Sequence, residues 1–241
     1  MFEKFANLKN VEISINSKLE IIDDYAFSYS PIEHIFIPNQ LIQIGDGAFY
    51  NCDQLKKIEI SEDSQLKIIG KHAFYGTGIE SLSIPSNIRE LKEGWCNNTL
   101  YLNKIRVHPK NEIYTSYEDK LIIGKSSPNN KKYDVLVFCN RNAESINVPD
   151  SIEIIKSYAF NNCKNLKKIN FGSNSSLRII EKQAFANSSI KKIDLPSSVT
   201  HIRSGAFINC DKLQRINIQS NSNLKVIEDR SFAYTPIEEF I

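Results

Sequence analysis

Residue types that could carry catalysis or bind a metal are few and scattered in this sequence. The four histidines show no H-x-x-x-H spacing, which would place two metal ligands on one side of a helix. They are His34, His72, His108 and His201. The sequence also contains no G-x-S-x-G nucleophile motif, no P-loop and no G-x-G-x-x-G after a strand. It therefore predicts no enzymatic activity, no cofactor and no metal site.

Five cysteines are the other reactive group, and they form no C-x-x-C pair. Cys52, Cys163 and Cys210 share one position in a repeated phrase. If each repeat adds a parallel strand ~4.8 Å from the last, the nearest two lie about 10 Å apart, beyond the ~7 Å limit for a disulfide. We expect these three and Cys96 to be buried thiols that contact the backbone. The role of Cys139 stays open.

A phrase that ends three residues before each of these cysteines recurs along most of the chain. It reads IIDDYAF at 21–27 and returns as LIQIGDGAF, LKIIGKHAF, IEIIKSYAF, LRIIEKQAF and VTHIRSGAF. Its aromatic anchors are Phe2, Phe27, Phe49, Phe74, Phe160, Phe185, Phe207 and Phe232. The anchors are spaced 25, 22 and 25 residues apart in each half, and Cys96 takes the anchor position in the gap between the halves. A fixed period of this length indicates stacked repeats.

A second phrase, with the pattern L-x-x-I-x-I, follows each anchor. Its central apolar residues are Val11, Ile35, Ile58, Leu82, Ile105, Ile146, Ile169, Ile193, Ile216 and Phe240. They recur every 23 or 24 residues, except for one interval of 41 that holds 17 extra residues. Alternation over I-x-I points the apolar side chains inward and the intervening residues to solvent. The sequence thus predicts a ten-strand parallel solenoid of two alternating repeat types.

The anchor phrase is expected to be scaffolding. The Phe of each AF pair and the apolar residue five positions earlier should fill the core opposite the strands, and each buried Phe should contribute roughly 1.5–3 kcal/mol. We expect the AF-x-N-C segment to form a single helical turn. The segment before it, such as LKII, is either extended or a poor second strand.

These motifs resemble the BspA-like leucine-rich repeat, a class found in bacterial and protozoan surface proteins. The resemblance rests on I-x-x-x-AF-x-N-C-x-x-L-x-x-I-x-I and its shorter form ending in proline, and it covers nearly the whole chain. It implies a right-handed solenoid with a parallel sheet on the concave side and an irregular convex side. It also implies surface display, adhesion to host cells or matrix, and no enzymatic activity in the repeats.

Solvent-facing strand positions form the one surface that the sequence describes. The residues before the central apolar position are mostly basic from Lys57 onward, and a basic cluster falls beside the 17-residue insertion. We expect ligand contacts on the concave face from His34, Phe36, Lys57, Lys104, Arg106, His108, Lys168, Lys192 and Arg215. Such a surface suits an acidic glycan or an acidic protein patch, although a sheet face of any protein needs some charge.

Residues 110–140 interrupt the repeat with two apolar runs, KLIIG and YDVLVF, around the polar stretch KSSPNNKK. This pattern predicts a β-hairpin with a long loop within a single solenoid domain of residues 1–241. The hairpin either covers a weak joint or contributes contacts through its tip, for which the candidates are Ser126, Ser127, Asn129, Asn130 and Lys131. Three sequons, at Asn97, Asn174 and Asn187, are possible glycosylation sites.

Composition limits the partners. The net charge of +2 over 241 residues gives no case for nucleic acid, and no apolar run reaches the ~18 residues of a membrane helix. The start, MFEKFANLKN, lacks the apolar core of a signal peptide, so location at the surface or outside the cell rests on the resemblance, and a cytoplasmic location is the alternative. We expect a binding or adhesion module, or alternatively a structural protein that self-associates through uncapped ends.

Overall fold

The computed structural model describes residues 7–241, so the anchor position assigned to Phe2 lies outside the described residues. The chain is a parallel β-solenoid of about ten turns. Its contacts group into two compact units, Met1–Asp119 and Lys120–Ile241, and the boundary falls within the insertion. The expectation of a single domain over 1–241 stays a prediction.

Each I-x-I segment forms a short parallel strand, which confirms the ten predicted strands. Those of the first unit are β1 (Asn10–Val11), β3 (His34–Ile37), β5 (Lys57–Ile60), β7 (Ser81–Ile84) and β9 (Lys104–Val107). Those of the second unit are β13 (Ser145–Val148), β15 (Lys168–Phe171), β17 (Lys192–Leu195), β19 (Arg215–Ile218) and β21 (Glu239–Phe240). They do not form one continuous ladder, because hydrogen bonds join them in four groups: β1-β3-β5, β7-β9, β13-β15 and β17-β19-β21.

The segment before each anchor forms a second set of strands, most of them only two residues long. In the first unit they are β2 (Ile21–Ile22), β4 (Gln43–Ile44), β6 (Ile68–Ile69) and β8 (Glu90–Leu91), with β10 (Tyr114–Tyr117) near the boundary. In the second unit they are β14 (Ile154–Ile155), β16 (Ile179–Ile180), β18 (His201–Ile202) and β20 (Val226–Ile227). Of the two forms that the sequence allowed, the second strand is therefore the correct one.

The predicted hairpin is present. Strands β11 (Leu121–Gly124) and β12 (Val135–Cys139) pair antiparallel, with an irregularity between Ile122 and Ile123. Strand β12 also pairs in parallel with β14, through Val135 with Ile154 and Leu136 with Ile155. The hairpin thus supplies the short strand of its own coil and is part of the second unit's sheet.

The expected helical turn at the anchor is wrong, since no helix is present among residues 7–241. In the coils anchored by Cys96 and by the phenylalanines from Phe27 to Phe232, the residues two before and two after the anchor have positive φ, as Gly47 and Asn51 do on either side of Phe49. Left-handed residues cannot continue a right-handed helix. The anchor amide instead donates to the next coil, and Phe49 N lies 2.8 Å from Ala73 O. This close approach of neighbouring backbones explains the small residue before each Phe.

The core lies between the two strand sets, as expected from the repeat. Phe49, Phe74, Phe160, Phe185 and Phe207 are fully buried and belong to columns of stacked rings. The apolar partner five residues before each anchor is buried in most coils, with Ile227 of the last coil exposed. Among the described residues, no helix is long and apolar enough to cross a membrane.

Candidate functional site

The strand faces present the predicted basic residues to solvent. Lys57, Lys104, Arg106, Lys192 and Arg215 are exposed, because each alternates with a buried residue of its strand. His34 and Lys168 are also exposed, whereas Phe36 and His108 are half-buried. These cations differ in whether a carboxylate of the chain lies close enough to pair with them.

Three of the predicted cations are paired with carboxylates of the chain itself. Lys57 Nζ lies 2.5 Å from Glu59 Oε1, and this hydrogen bond lowers the pKa of Glu59. In the second unit, Lys192 Nζ lies 3.1 Å from Asp194 Oδ1, and Arg215 Nε lies 2.6 Å from Glu239 Oε2. These pairs leave little net positive charge at their positions on the sheet face.

Lys104 and Arg106 have no carboxylate within 4.0 Å among residues 7–241. They lie on β9, directly opposite Ser81 and Ser83 of β7. The two serines are short, so the surface sinks between the longer side chains of β5 and β9. The resulting depression, of about 160 Å³, is lined by Ile58, Ser81, Leu82, Ser83, Lys104 and Arg106. We call Ser81, Ser83, Lys104 and Arg106 the basic depression.

A larger cleft of about 500 Å³ adjoins the basic depression and shares Ser83 and Arg106 with it. Ile60, Ile84 and Val107 contribute apolar lining at the carboxyl ends of β5, β7 and β9. The polar lining includes His108, Glu62 and Asp119. The sequence had indicated Arg106 and His108 but not the apolar lining, because strand ends in a repeat look alike until their stacking is known.

The chemistry of this site is anion binding beside an apolar surface. A guanidinium can bind a carboxylate or sulfate through two parallel hydrogen bonds, and an ammonium and two hydroxyls can donate to the remaining oxygens. The cleft can accept an uncharged part of the same ligand. The structure therefore brings Lys104, Arg106 and His108 together within the first unit.

The other predicted residues of the sheet face lie elsewhere. His34 and Phe36 lie on β3 opposite Lys57 and Glu59 of β5. Lys168, Lys192 and Arg215 belong to the second unit. Lys168 lies opposite Ser145, and no carboxylate lies within 4.0 Å of it among the residues described here. Lys168 is thus the one predicted cation of that unit that resembles Lys104.

The tip of the insertion is an ordered loop built on Asp134. The Asp134 carboxylate accepts hydrogen bonds from Ser126 N at 2.8 Å and from Asn130 Nδ2 at 2.8 Å. Ser127, Asn129 and Lys131 are exposed around this centre. Asp134 itself is buried, so its carboxylate fixes the loop and leaves the exposed side chains for contact.

The three sequons differ in exposure. Asn174 is exposed and Asn187 is half-buried. Asn97 is buried, with its Oδ1 2.9 Å from His72 Nδ1. A glycan needs an exposed amide nitrogen, so burial argues against the Asn97 site, which we do not retain.

No disulfide joins the five cysteines, which all lie within residues 7–241, and all five are buried. The thiol of Cys52 donates to Phe27 O at 2.9 Å and that of Cys210 to Phe185 O at 3.1 Å, which is the expected backbone contact. Burial raises the pKa of Cys52 to about 12 and that of Cys210 to about 11. These thiols therefore stay protonated and have a packing role.

Cys139 occupies an anchor position, which the sequence did not reveal. Its amide donates to Ala159 O at 2.9 Å, the bond that Phe160 makes to Ala184 O in the next coil. The buried guanidinium of Arg141 lies over the Phe138 ring at 4.4 Å, and its Nη1 lies 3.6 Å from Cys163 Sγ. Burial opposes ionisation of Cys163, but the hydrogen bond with Cys139 and the Arg141 charge outweigh it and lower the pKa.

Histidines and carboxylates do not converge. Within residues 7–241, no group of three or more His, Cys, Asp or Glu side chains is placed to hold a metal ion. His72 stacks edge-on against Tyr75, and His201 lies on β18.

Comparison with known proteins agrees with this architecture. The sequence matches the BspA type leucine rich repeat region in six copies, over residues 1–117 and 133–241, which leaves β11 and the loop of the insertion unmatched. No curated protein matches the chain.

Solved structures that are similar to this chain include the following two. The pneumococcal vaccine antigen PcpA is 25% identical with a TM-score of 0.72, over 91% of this chain and 61% of that one. A leucine rich cell surface protein from Faecalibacterium prausnitzii is 20% identical with a TM-score of 0.67, over 86% and 62%. The chain thus spans about three fifths of the length of each. With the family match, the coils and the stacked anchors, the chain belongs to the BspA-type leucine-rich-repeat family.

Proposed function

We propose that this chain is a non-enzymatic binding module of a surface-displayed or secreted protein, and that it holds an acidic macromolecule at the basic depression. The group it recognises is a carboxylate or sulfate, carried by a glycan or by an acidic protein segment. An apolar or neutral part of the same ligand occupies the adjoining cleft of about 500 Å³.

One observation carries this proposal: Lys104 and Arg106 lie free of carboxylates beside two serine hydroxyls, whereas Lys57, Lys192 and Arg215 are each paired. A cation that is already neutralised gains little from a second anion. Two adjacent cations without partners repel each other, and an anionic ligand relieves that repulsion while it accepts their hydrogen bonds.

The family and the names of its relatives support display outside the cell. One similar structure is of a vaccine antigen and another is of a cell surface protein. The proposal also includes secondary contact sites at Lys168 and at the exposed tip formed by Ser127, Asn129 and Lys131. It includes modification sites at the sequons of Asn174 and Asn187.

The test is retention on immobilised heparin and on immobilised polyglutamate, which separates a sulfated glycan from an acidic polypeptide. The variant K104Q/R106Q should lose at least about tenfold in affinity for the preferred matrix, since each charge-assisted bond is worth a few kcal/mol at most. The control K192Q/R215Q removes the same charge from paired cations and should change affinity less than about threefold. Equal losses in both variants would mean that only overall charge matters, and would contradict the proposed site.

Self-assembly, the alternative drawn from the sequence, stays a prediction. Light scattering over a rising protein concentration distinguishes it from the binding module, because self-assembly requires a mass that increases with concentration. A constant monomer mass would remove it.

A further inference from the structure

Four tyrosines form a cluster on the turn side of the first unit, away from the I-x-I strands, and two of them are exposed while two are half-buried. The rings of Tyr50 and Tyr75 are stacked with centroids 4.5 Å apart, and the ring of Tyr29 lies 5.7 Å from that of Tyr50. The ring of Tyr25 lies over Gly47, whose carbonyl oxygen accepts a hydrogen bond from Tyr50 N at 2.9 Å. Burial raises the pKa of Tyr50, and the neighbouring Tyr75, Tyr29 and Tyr25 raise it further. We call Tyr25, Tyr29, Tyr50 and Tyr75 the tyrosine cluster.

Tyr25 and Tyr29 hold half-exposed rings at backbone positions that do not favour tyrosine. Their side chains are 51% and 52% exposed, and their φ angles are 55° and 60°. A bulky residue with positive φ is uncommon, and several other coils place glycine or asparagine at these positions, as at Gly47, Asn51 and Gly205. The Tyr25 ring lies over Gly47, where a Cβ would collide with it. The rings therefore gain little from burial and are presented to solvent.

Carboxylates border the cluster on one side. Asp23 and Asp24 directly precede Tyr25, are exposed, and have no cation within 4.0 Å among the residues that the structure describes. Asp24 Oδ1 accepts a hydrogen bond from Asp46 N at 2.6 Å, which fixes the Asp24 side chain, and Tyr25 N donates to Asp46 O at 2.9 Å. Asp46 itself is paired with Lys92 at 3.4 Å. Two carboxylates without a cationic partner among the described residues thus directly precede an exposed tyrosine.

We propose that the tyrosine cluster and Asp23–Asp24 form a second interaction surface, which binds an arginine-bearing segment of a partner polypeptide. A guanidinium stacks on the face of Tyr25 or Tyr29, where the negative face of the ring attracts a cation, and donates hydrogen bonds to the carboxylates. The charge of this surface is opposite to that of the basic depression. An acidic ligand is therefore directed to the depression, and a basic one to the tyrosine cluster.

The sequence offers substitutions that remove the rings without straining the backbone. Glycine stands at the Tyr25 position in three other coils, and asparagine stands at the Tyr29 position in five, at Asn51, Asn98, Asn162, Asn187 and Asn209. The variant Y25G/Y29N should therefore fold at least as well as the parent chain. In the second unit, Tyr158 holds the Tyr25 position of the Phe160 coil and Tyr234 holds the Tyr29 position of the Phe232 coil. Y158G/Y234N is therefore a control with the same substitutions at positions where the two rings do not flank one anchor.

The experiment measures binding of a fluorescent peptide of alternating arginine and glycine to the full chain, with a glutamate–glycine peptide as the reference. We expect that of the two peptides only the arginine peptide binds to the parent chain. Y25G/Y29N should weaken this binding roughly tenfold, and D23N/D24N should weaken it and make it less dependent on salt concentration. Y158G/Y234N should leave the binding unchanged. Equal binding by Y25G/Y29N and the parent chain would overturn the proposal. So would an effect of Y25G/Y29N on retention by an uncharged polysaccharide with none on the arginine peptide.

Discussion

The rings of Phe160 and Phe185, on consecutive coils, are stacked with centroids 4.6 Å apart and planes 2° from parallel. The spacing is close to the separation of neighbouring parallel strands. It follows from the backbone, since Phe160 N donates to Ala184 O at 2.7 Å and holds the two anchors in register. Each repeat of the AF phrase thus provides both a backbone hydrogen bond between coils and a buried aromatic ring.

This stack makes Phe185 a strong determinant of stability. Phe185→Ala would leave a cavity between Phe160 and Phe207 and should lower the free energy of unfolding by about 3–5 kcal/mol, measured by urea denaturation. Phe185→Leu should cost less because it fills part of the space. Tyr101→Ala, at a 61% exposed side chain, should change stability by no more than about 0.5 kcal/mol. Similar values for Phe185→Ala and Tyr101→Ala would contradict the core assignment.

The sequence predicted the strands well because their pattern repeats ten times, and each central residue from Val11 to Phe240 lies on a strand. It failed at the anchor turn because local spacing cannot distinguish a helical turn from alternating right- and left-handed residues. The decisive feature there is the bond from one coil to the next, as from Phe49 N to Ala73 O. The sequence also could not predict the ion pair between Arg215 and Glu239, because that pair depends on the register of neighbouring strands.

Left-handed positions give a second prediction. Asn209 is exposed and has a φ of 56°. Asn209→Ala should lower the free energy of unfolding by about 1–2 kcal/mol, because a Cβ without a local polar group is strained in this region. Asn209→Gly should be within about 0.5 kcal/mol of the parent chain. If alanine is tolerated as well as glycine in thermal and urea denaturation, the left-handed turn is wrong.

Asn111 joins the end of the first unit to its last coils. Its Nδ2 donates to Pro85 O at 2.8 Å and to Ile88 O at 3.1 Å, and its Oδ1 accepts from Tyr114 N at 2.7 Å. Asn111→Ala should cost at least about 2 kcal/mol of unfolding free energy, because buried backbone groups would lose their partners. Asn111→Asp keeps the acceptor but loses both donor bonds, so it should also destabilise. A neutral result for both would show that water replaces the amide.

Burial of the thiols predicts that the free energy of unfolding depends on pH in the alkaline range. Burial raises the pKa of Cys52 to about 12 and of Cys210 to about 11, above the value of about 8.5 in an unfolded chain. The folded state holds these protons more tightly, so the stabilisation is complete below about pH 8.5 and is lost as the pH rises toward 11–12.

The measurement is the slope of unfolding free energy against pH between 8.5 and 10.5. The variant C52A/C210A should show a shallower decline than the parent chain, by up to roughly 1.4 kcal/mol per pH unit for each thiol. Ser127→Ala, at the exposed tip, should keep the parent slope. A steeper decline in C52A/C210A would contradict the raised pKa values.

The central claim is that the outward residues of β7 and β9 bind the ligand, whereas the anchor phrase only holds the coils together. The most direct test is a nuclear magnetic resonance titration of the ¹⁵N-labelled chain with a short heparin or polyglutamate fragment. We expect shift changes at the amides of Ser81, Ser83, Lys104 and Arg106, and their loss in K104Q/R106Q. Shift changes centred on the anchor turns at Phe49 and Phe74, or spread evenly over all paired and unpaired cations, would contradict this account.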